Sequence, residues 1–269
     1  MKTFTLNAQT MHYQDIGEGP VLVFGHSYLW DSTMWAPQVE VLSKSYRCIV
    51  PDFWGHGSSS VVPESTHTLS DYANDVLALL DHLDIDTFSL IGLSSGGMWA
   101  TELVINAPAR VKSLVLMDTF VGLEPEVVHT KYLAKMAEME EHAALTPDIV
   151  QFFDERQFAT LDRNHPIRHG FRENLLSATK DKAHALAKAG RMVFGRRDMF
   201  EDAEMFALPT LIMVGAQDAM RPVLESQLMH DGITGSEFVL IPNAGHISNL
   251  EQPEFVTEKL VAFLSKHAG

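Results

Sequence analysis

The sequence predicts an α/β fold: a mostly parallel, doubly wound sheet of about eight strands, interrupted once by an all-helical insertion. Three observations carry this. Short runs such as 21–24 and Val111–Met117 are apolar with almost no alternation, the pattern of strands covered on both faces. These runs alternate with helical periodicities, the rhythm of right-handed β–α–β crossovers. Between 120 and 207 the strand signal vanishes and only helical patterns remain.

Taken in order, residues 4–6 and 11–13 flank Asn7-Ala8-Gln9 as an antiparallel pair, and Gly17-Glu18-Gly19-Pro20 turns the chain into the run 21–24. A helical stretch with Trp35, Val39, Val41 and Leu42 leads to a strand over 46–50. The single cysteine, Cys48, lies in that strand, where a buried thiol is expected and no disulfide is possible within the chain. Thr68 and Asp71 are spaced as a capping box ahead of an apolar face of Leu69, Ala73, Val76, Leu77, Leu80 and Leu83. Next comes Ser89-Leu90-Ile91-Gly92-Leu93-Ser94-Ser95-Gly96-Gly97-Met98, a strand that meets a glycine-bracketed serine and continues as a helix until Pro108 forbids it. Val111–Met117 is the following strand. Within 120–207, helices are expected over 132–144, 147–159, 172–178 and 182–189. Met136, Met139, Met192, Met199 and Met205 punctuate this part, either as gap fillers or as a surface that repacks around apolar ligands. The alternation resumes with a strand over 210–214, a helix over 223–230 and the strand Glu237–Ile241. Pro253 opens a last helix whose Phe255, Val256, Leu260, Phe263 and Leu264 share a face. The division that follows is a core domain of 1–119 and 208–269 with an inserted helical cap of 120–207.

Bulk properties exclude several classes. A formal net charge of −15 argues against a nucleic-acid partner, because binding phosphates needs a basic patch and every lysine and arginine cluster here has acids among it. The insertion differs in kind from the rest: it holds 12 of the 20 basic residues and 15 of the 35 acids. The first twenty residues have no apolar block behind a basic start, and no run of eighteen apolar residues follows, so a cytoplasmic, membrane-free protein is expected. His165 and His169 stand four apart without a third ligand, and neither a metal nor another cofactor is expected.

The stretch around Ser94 carries the chemistry. A strand reversing sharply into a helix tolerates no side chain two positions either side of the turn, and Gly92 and Gly96 meet that need around Ser94. Centring the frame on Ser95 would put Leu93 where the first glycine belongs. In an open parallel sheet, functional groups collect at the carboxyl ends of strands. Asp218 and His246 lie just past two later strands, giving the chain order serine, acid, histidine. A serine hydroxyl needs a base to take its proton, imidazole has the matching pKa, and an imidazole that gains a proton needs a carboxylate on its far nitrogen. Ser94, His246 and Asp218 are the expected catalytic residues in those roles. The oxyanion that forms needs two preorganised donors: the backbone N–H of Ser95 and that of Tyr28, in the loop after the run 21–24. Ser27, Trp30 and Met98 are the expected substrate contacts.

Five ordered motifs resemble the α/β-hydrolase superfamily: Gly25-His26; Pro51-Asp52 with Gly55-His56-Gly57; Gly92-Leu93-Ser94-Ser95-Gly96-Gly97; Gly215 with Asp218 and Pro222; and Gly245-His246. The elbow and the run Gly245-His246-Ile247-Ser248-Asn249-Leu250-Glu251-Gln252-Pro253 look most like the 3-oxoadipate enol-lactonase and carboxylesterase branch. The resemblance implies an α/β-hydrolase fold and a serine hydrolase of small carboxylic esters or lactones. Ser94 would form an acyl-enzyme that water, activated by His246, releases. A carbon–carbon bond hydrolase of ring-cleavage diketones uses the same three residues, and some members of the fold serve as ligand receptors. The family usually has glycine where this chain has Ser27, and His56 and Asp52 match a loop that there organises the site without reacting.

Overall fold

The computed structural model describes residues 1–268. Its eight-stranded sheet is formed by β1 (Lys2–Leu6), β2 (Gln9–Ile16), β3 (Val21–Gly25), β4 (Arg47–Pro51), β5 (Phe88–Leu93), β6 (Val111–Met117), β7 (Thr210–Gly215) and β8 (Glu237–Ile241), side by side in the order β1-β2-β4-β3-β5-β6-β7-β8. β1–β2 and β2–β4 are antiparallel and every other neighbour is parallel, the mostly parallel, doubly wound sheet that the alternation predicts and the arrangement that the α/β-hydrolase resemblance implies. The hairpin β1–β2 is longer than expected because Asn7 and Ala8, at φ 49° and 62°, make a two-residue turn whose twist suits the strands it joins. β5 and β7 are buried along their whole length, whereas β1 and β8 form the two edges and leave residues exposed.

Helices cover both faces. α1 (Ala36–Leu42) links β3 to β4, whereas α2 (Leu69–His82) carries the chain back past β3 to β5, so right-handed crossovers place the two helices on opposite faces. α3 (Ser95–Asn106) packs beside α2. The capping box on α2 is present, with Thr68 Oγ1 accepting from Asp71 N and the Asp71 carboxylate accepting from Thr68 N. Its buried face includes Tyr72 and Leu79, while Leu77 and Leu83 are only half-buried.

Between β6 and β7 run α4 (Glu126–His142), α5 (Pro147–Gln157), α6 (Pro166–Leu176), α7 (Lys180–Phe194) and α8 (Phe200–Glu204), with no strand among these described residues. α5 starts at Pro147 as expected, whereas α6 and α7 start earlier than periodicity alone suggests because capping sets them. His165 Nδ1 accepts from Ile167 N ahead of Pro166, and the Thr179 hydroxyl accepts from Lys182 N. Met136, Met139 and Met199 are fully buried and Met192 nearly so, whereas Met205 is 82% exposed. α9 (Val223–Gly232) lies between β7 and β8, and α10 (Ser248–Glu251) and α11 (Pro253–His267) follow, α11 packing against α1. Among the described residues no helix is long and apolar enough to cross a membrane.

The chain leaves β3 toward β4 on one side and later reaches β5 on the other, so the loops after β3 and β5 diverge at a switch point. Gly25 and Gly92 are register partners there. A Cβ on Gly25 would stand 2.6 Å from Gly96 Cα and 2.7 Å from Trp99 Cζ2, so only glycine lets the start of α3 settle over the end of β3.

Candidate active site

Ser94 sits between β5 and α3 at φ 57° and ψ −119°, a left-handed backbone that costs a non-glycine residue about 1–3 kcal/mol. Surrounding bonds hold it there. Its N–H donates to the Met117 C=O at 2.9 Å, and its own C=O accepts from the Thr119 hydroxyl at 2.7 Å and from Gly97 N at 2.9 Å. A Cβ at Gly92 would collide with the Gly96 and Gly97 backbone, and one at Gly96 with Gly25.

His246 Nε2 lies 2.9 Å from Ser94 Oγ, and His246 Nδ1 lies 2.9 Å from Asp218 Oδ2. With Nδ1–H donating to the carboxylate, the lone pair of Nε2 faces the serine hydroxyl. The other Asp218 oxygen accepts the N–H groups of Met220 at 2.8 Å and Arg221 at 2.9 Å, so the carboxylate cannot rotate freely. His246 is 0% and Ser94 6% exposed, which keeps bulk water off the serine–histidine contact. The chain of three residues lies at strand ends brought together from three distant parts of the sequence.

The loop after β3 is braced from below. Phe53 N–H donates to His26 Nε2 at 2.8 Å, so Nδ1 carries the proton and donates to the Ser27 C=O at 2.8 Å. Burial lowers the pKa of His26 and pushes that of His56 well below its usual range, which leaves both rings neutral packing groups. Asp52 accepts Ser32 N and Ser58 N, as befits a loop organiser. Ser27 N–H points to Met34 Sδ at 3.3 Å and its C=O accepts Trp30 N, so the serine takes part in the bend of the loop through its backbone.

The other residues singled out from sequence fall as follows. The backbone N–H groups of Tyr28 and Ser95 donate to no residue among those described, whereas both hydroxyls are occupied. Tyr28 reaches α7, donating to the Leu186 C=O at 2.9 Å beside Met136 Sδ of α4 at 3.1 Å, and burial raises its pKa. Ser95 Oγ donates to the His26 C=O at 3.1 Å, tying elbow to loop. Trp30 is stacked on Phe171 of the cap at 5.1 Å, and its Nε1–H goes to Gln157. Met98 is buried on α3 and its N–H donates to the Ser94 C=O at 3.2 Å. Among the described residues no group of three His, Cys, Asp or Glu side chains is placed to hold a metal ion.

Two buried carboxyls beside the site escaped sequence reasoning. Asp118, directly after β6, accepts Gly215 N–H at 2.8 Å and bonds the Ser248 hydroxyl, joining the end of β7 to the histidine loop. Burial, reinforced by the charge of Asp218, holds its pKa well above the ordinary carboxyl range. The signal was available, since Asp118 follows a strand as Asp218 does. Glu124, just before α4, pairs with Arg196, just after α7, and with Arg221 in the Asp218 loop. Burial opposes its ionisation, yet Arg221 and Arg196 prevail and hold the carboxyl at about 2.

The chain matches the family model of the alpha/beta hydrolase fold over residues 20–253. It belongs to the α/β-hydrolase fold family. It is 30% identical to 3-oxoadipate enol-lactonase 1 of Acinetobacter baylyi over 87% of this chain and 85% of that protein. It is 27% identical to 3-oxoadipate enol-lactonase 2 of the same organism, over 97% and 96%. A malate-bound thermophilic esterase from Thermogutta terrifontis superposes with a TM-score of 0.87 at 31% identity, covering 96% of this chain and 94% of that one.

Proposed function

We propose that the protein is a serine hydrolase of small carboxylic esters or lactones, working through an acyl-enzyme on Ser94. The hydrogen-bonded chain Ser94 Oγ, His246 Nε2, His246 Nδ1, Asp218 Oδ2, with both contacts at 2.9 Å, carries this reading. His246 takes the hydroxyl proton as Ser94 Oγ attacks the carbonyl, and Asp218 stabilises the imidazolium that results. The tetrahedral oxyanion rests on the backbone N–H groups of Ser95 and Tyr28, donors that need no reorganisation. Collapse of the intermediate breaks the acyl–oxygen bond, and His246 returns the proton to the leaving alkoxide. Water then gives a proton to His246 and attacks the acyl carbon; the bond to Ser94 Oγ breaks, His246 returns the proton to Ser94 Oγ, and the acid is released. The enol-lactonase and esterase relatives support ester or lactone carbonyls as the class of bond. Residues 120–207 serve as a cap over the site, with Ser27, Trp30 and Met98 as substrate contacts, and the protein acts in the cytoplasm.

The test is hydrolysis of short-chain aryl esters by wild type and Ser94→Ala. The expected loss in kcat is on the order of 10⁴-fold or more. Equal rates in the two proteins refute the reading, and a panel adding ring-cleavage diketones separates it from carbon–carbon hydrolysis.

A further inference from the structure

The cap meets the histidine loop along the short strip 157–161, and Gln157, the last residue of α5, touches two loops at once. Its backbone C=O accepts the N–H of His246 at 3.0 Å and that of Ile247 at 3.2 Å. Its side-chain Oε1 accepts Nε1–H of Trp30, on the loop after β3. Gln157 is 1% exposed, so none of these bonds is readily exchanged for water. A carbonyl in the last turn of a helix has no partner within the helix; here the two histidine-loop amides supply it.

The strip is clamped from the core side as well. Glu251 Oε1 accepts the N–H groups of Ala159 at 3.0 Å, Thr160 at 2.7 Å and Leu161 at 3.2 Å, together with the Thr160 hydroxyl at 2.8 Å. Its Oε2 accepts Gly245 N–H, the amide next to the histidine. A Cβ on Gly245 would stand 2.8 Å from Ala159 N and 3.1 Å from Ala159 Cβ, so glycine at this position is the condition for the cap to sit down. The peptide that carries His246 is therefore hung on the cap through its own N–H, and lifting the strip would leave Gln157 C=O and His246 N–H unpaired together.

We propose that Gln157 and Glu251 are positioning residues for His246: the seated strip 157–161 sets the imidazole against Ser94, so the chemical step requires the cap in place. The inference rests on the serine-hydrolase reading. A displacement of a catalytic group by about 1 Å costs roughly 10²-fold in rate. Substrate affinity need not change with it, which separates positioning from binding.

The experiment measures kcat and KM for 4-nitrophenyl butyrate in Gln157→Met, an isosteric change that removes the acceptor for Trp30, and in Glu251→Gln, which sets an amide N–H against Gly245 N–H. Rates are referred to the concentration of sites titrated by an organophosphonate, so that misfolded protein does not count. The expected result is a fall in kcat per titrated site of about 10- to 100-fold in both variants, with KM within threefold of wild type in Glu251→Gln, the variant that leaves the partner of the substrate contact Trp30 intact. Unchanged kcat per site in both variants overturns the proposal, as does a rise in KM at constant kcat. If Gln157→Met yields no folded protein, Glu251→Gln reaches the same strip from the core and decides alone. Ser94→Ala is run beside them: full activity there fails the hydrolase reading, whereas an inactive Ser94→Ala with undiminished positioning variants fails this inference only.

Discussion

Ser94 and Asp218 are held by contacts within the core, many of them backbone bonds, whereas the proposed cap is held to that core by side chains far apart in sequence. On the core side, Met117 C=O fixes Ser94, and the Met220 and Arg221 amides fix Asp218. On the cap side, Glu124 pairs with Arg196 and Arg221, Tyr28 bonds Leu186, and Glu251 gathers the strip 159–161. His246 belongs to both, with its ring on Asp218 and its N–H on Gln157. The difference teaches that alignment of the proposed nucleophile and acid is built into the sheet, while alignment of the proposed base is shared with a part of the chain that is not.

The sharpest way to break this comparison is to disable the core alignment without touching the cap. Asp218→Asn preserves shape but offers an amide N–H to Nδ1, which puts the imidazole proton on Nε2, facing Ser94 as a donor. The expected loss in kcat is roughly 10⁴-fold with the melting temperature close to wild type. A loss below tenfold in steady-state ester hydrolysis would show that Asp218 does not orient the base.

The converse experiment attacks the cap anchor. Glu124→Gln leaves Arg196 buried without its carboxylate and Arg221 with only Glu225, 3.5 Å away, at an expected cost of about 3–5 kcal/mol in chemical denaturation. The pH dependence has a definite sign. Glu124 ionises at about 2 in the folded chain against 4.5 when free, so its stabilisation is complete above pH 4.5 and is lost as the pH falls through about 2. The variant should show a shallower decline across that window, and identical acid profiles would place the ion pairs outside the stability of the fold.

That asymmetry also explains what was legible in the sequence. Strand positions followed from runs such as Val111–Met117 and Glu237–Ile241, and the elbow from Gly92 and Gly96, because each is dictated by local sterics and burial. Asp218 and His246 were readable because a parallel sheet delivers strand ends to one edge. Gln157 and Glu251 were not, since their partners lie 89 to 127 residues away or in the backbone, and no periodicity encodes such a contact. α4 and α6 each begin six residues ahead of the expected 132 and 172, because Pro125 and the pair His165-Pro166 set those starts rather than the apolar faces.

A smaller effect is expected at Asp118. Burial and Asp218 push the pKa of this carboxyl well up, so Asp118→Asn, which removes its charge and keeps an acceptor for Gly215 N–H, should shift stability by less than about 1 kcal/mol. Asp118→Ala should cost about 1–3 kcal/mol by leaving Gly215 N–H without an acceptor. Equal melting temperatures for the two variants would show that the bond to Gly215 contributes nothing.

Ser95 tests the boundary between the two kinds of anchor most finely. Its backbone N–H is the proposed oxyanion donor and survives any side-chain substitution other than proline, whereas its hydroxyl spans to the His26 C=O and so steadies the loop that carries the second donor, Tyr28. Ser95→Ala should therefore lose one buried hydrogen bond, about 0.5–1.5 kcal/mol of stability, and lower kcat by less than about tenfold with KM little changed. Ser94→Ala and Ser95→Ala should thus differ by about three orders of magnitude or more in turnover, although the two side chains are the same and adjacent. Comparable losses in stopped-flow acylation would mean that the hydroxyl of Ser95, not its amide, is what the transition state uses.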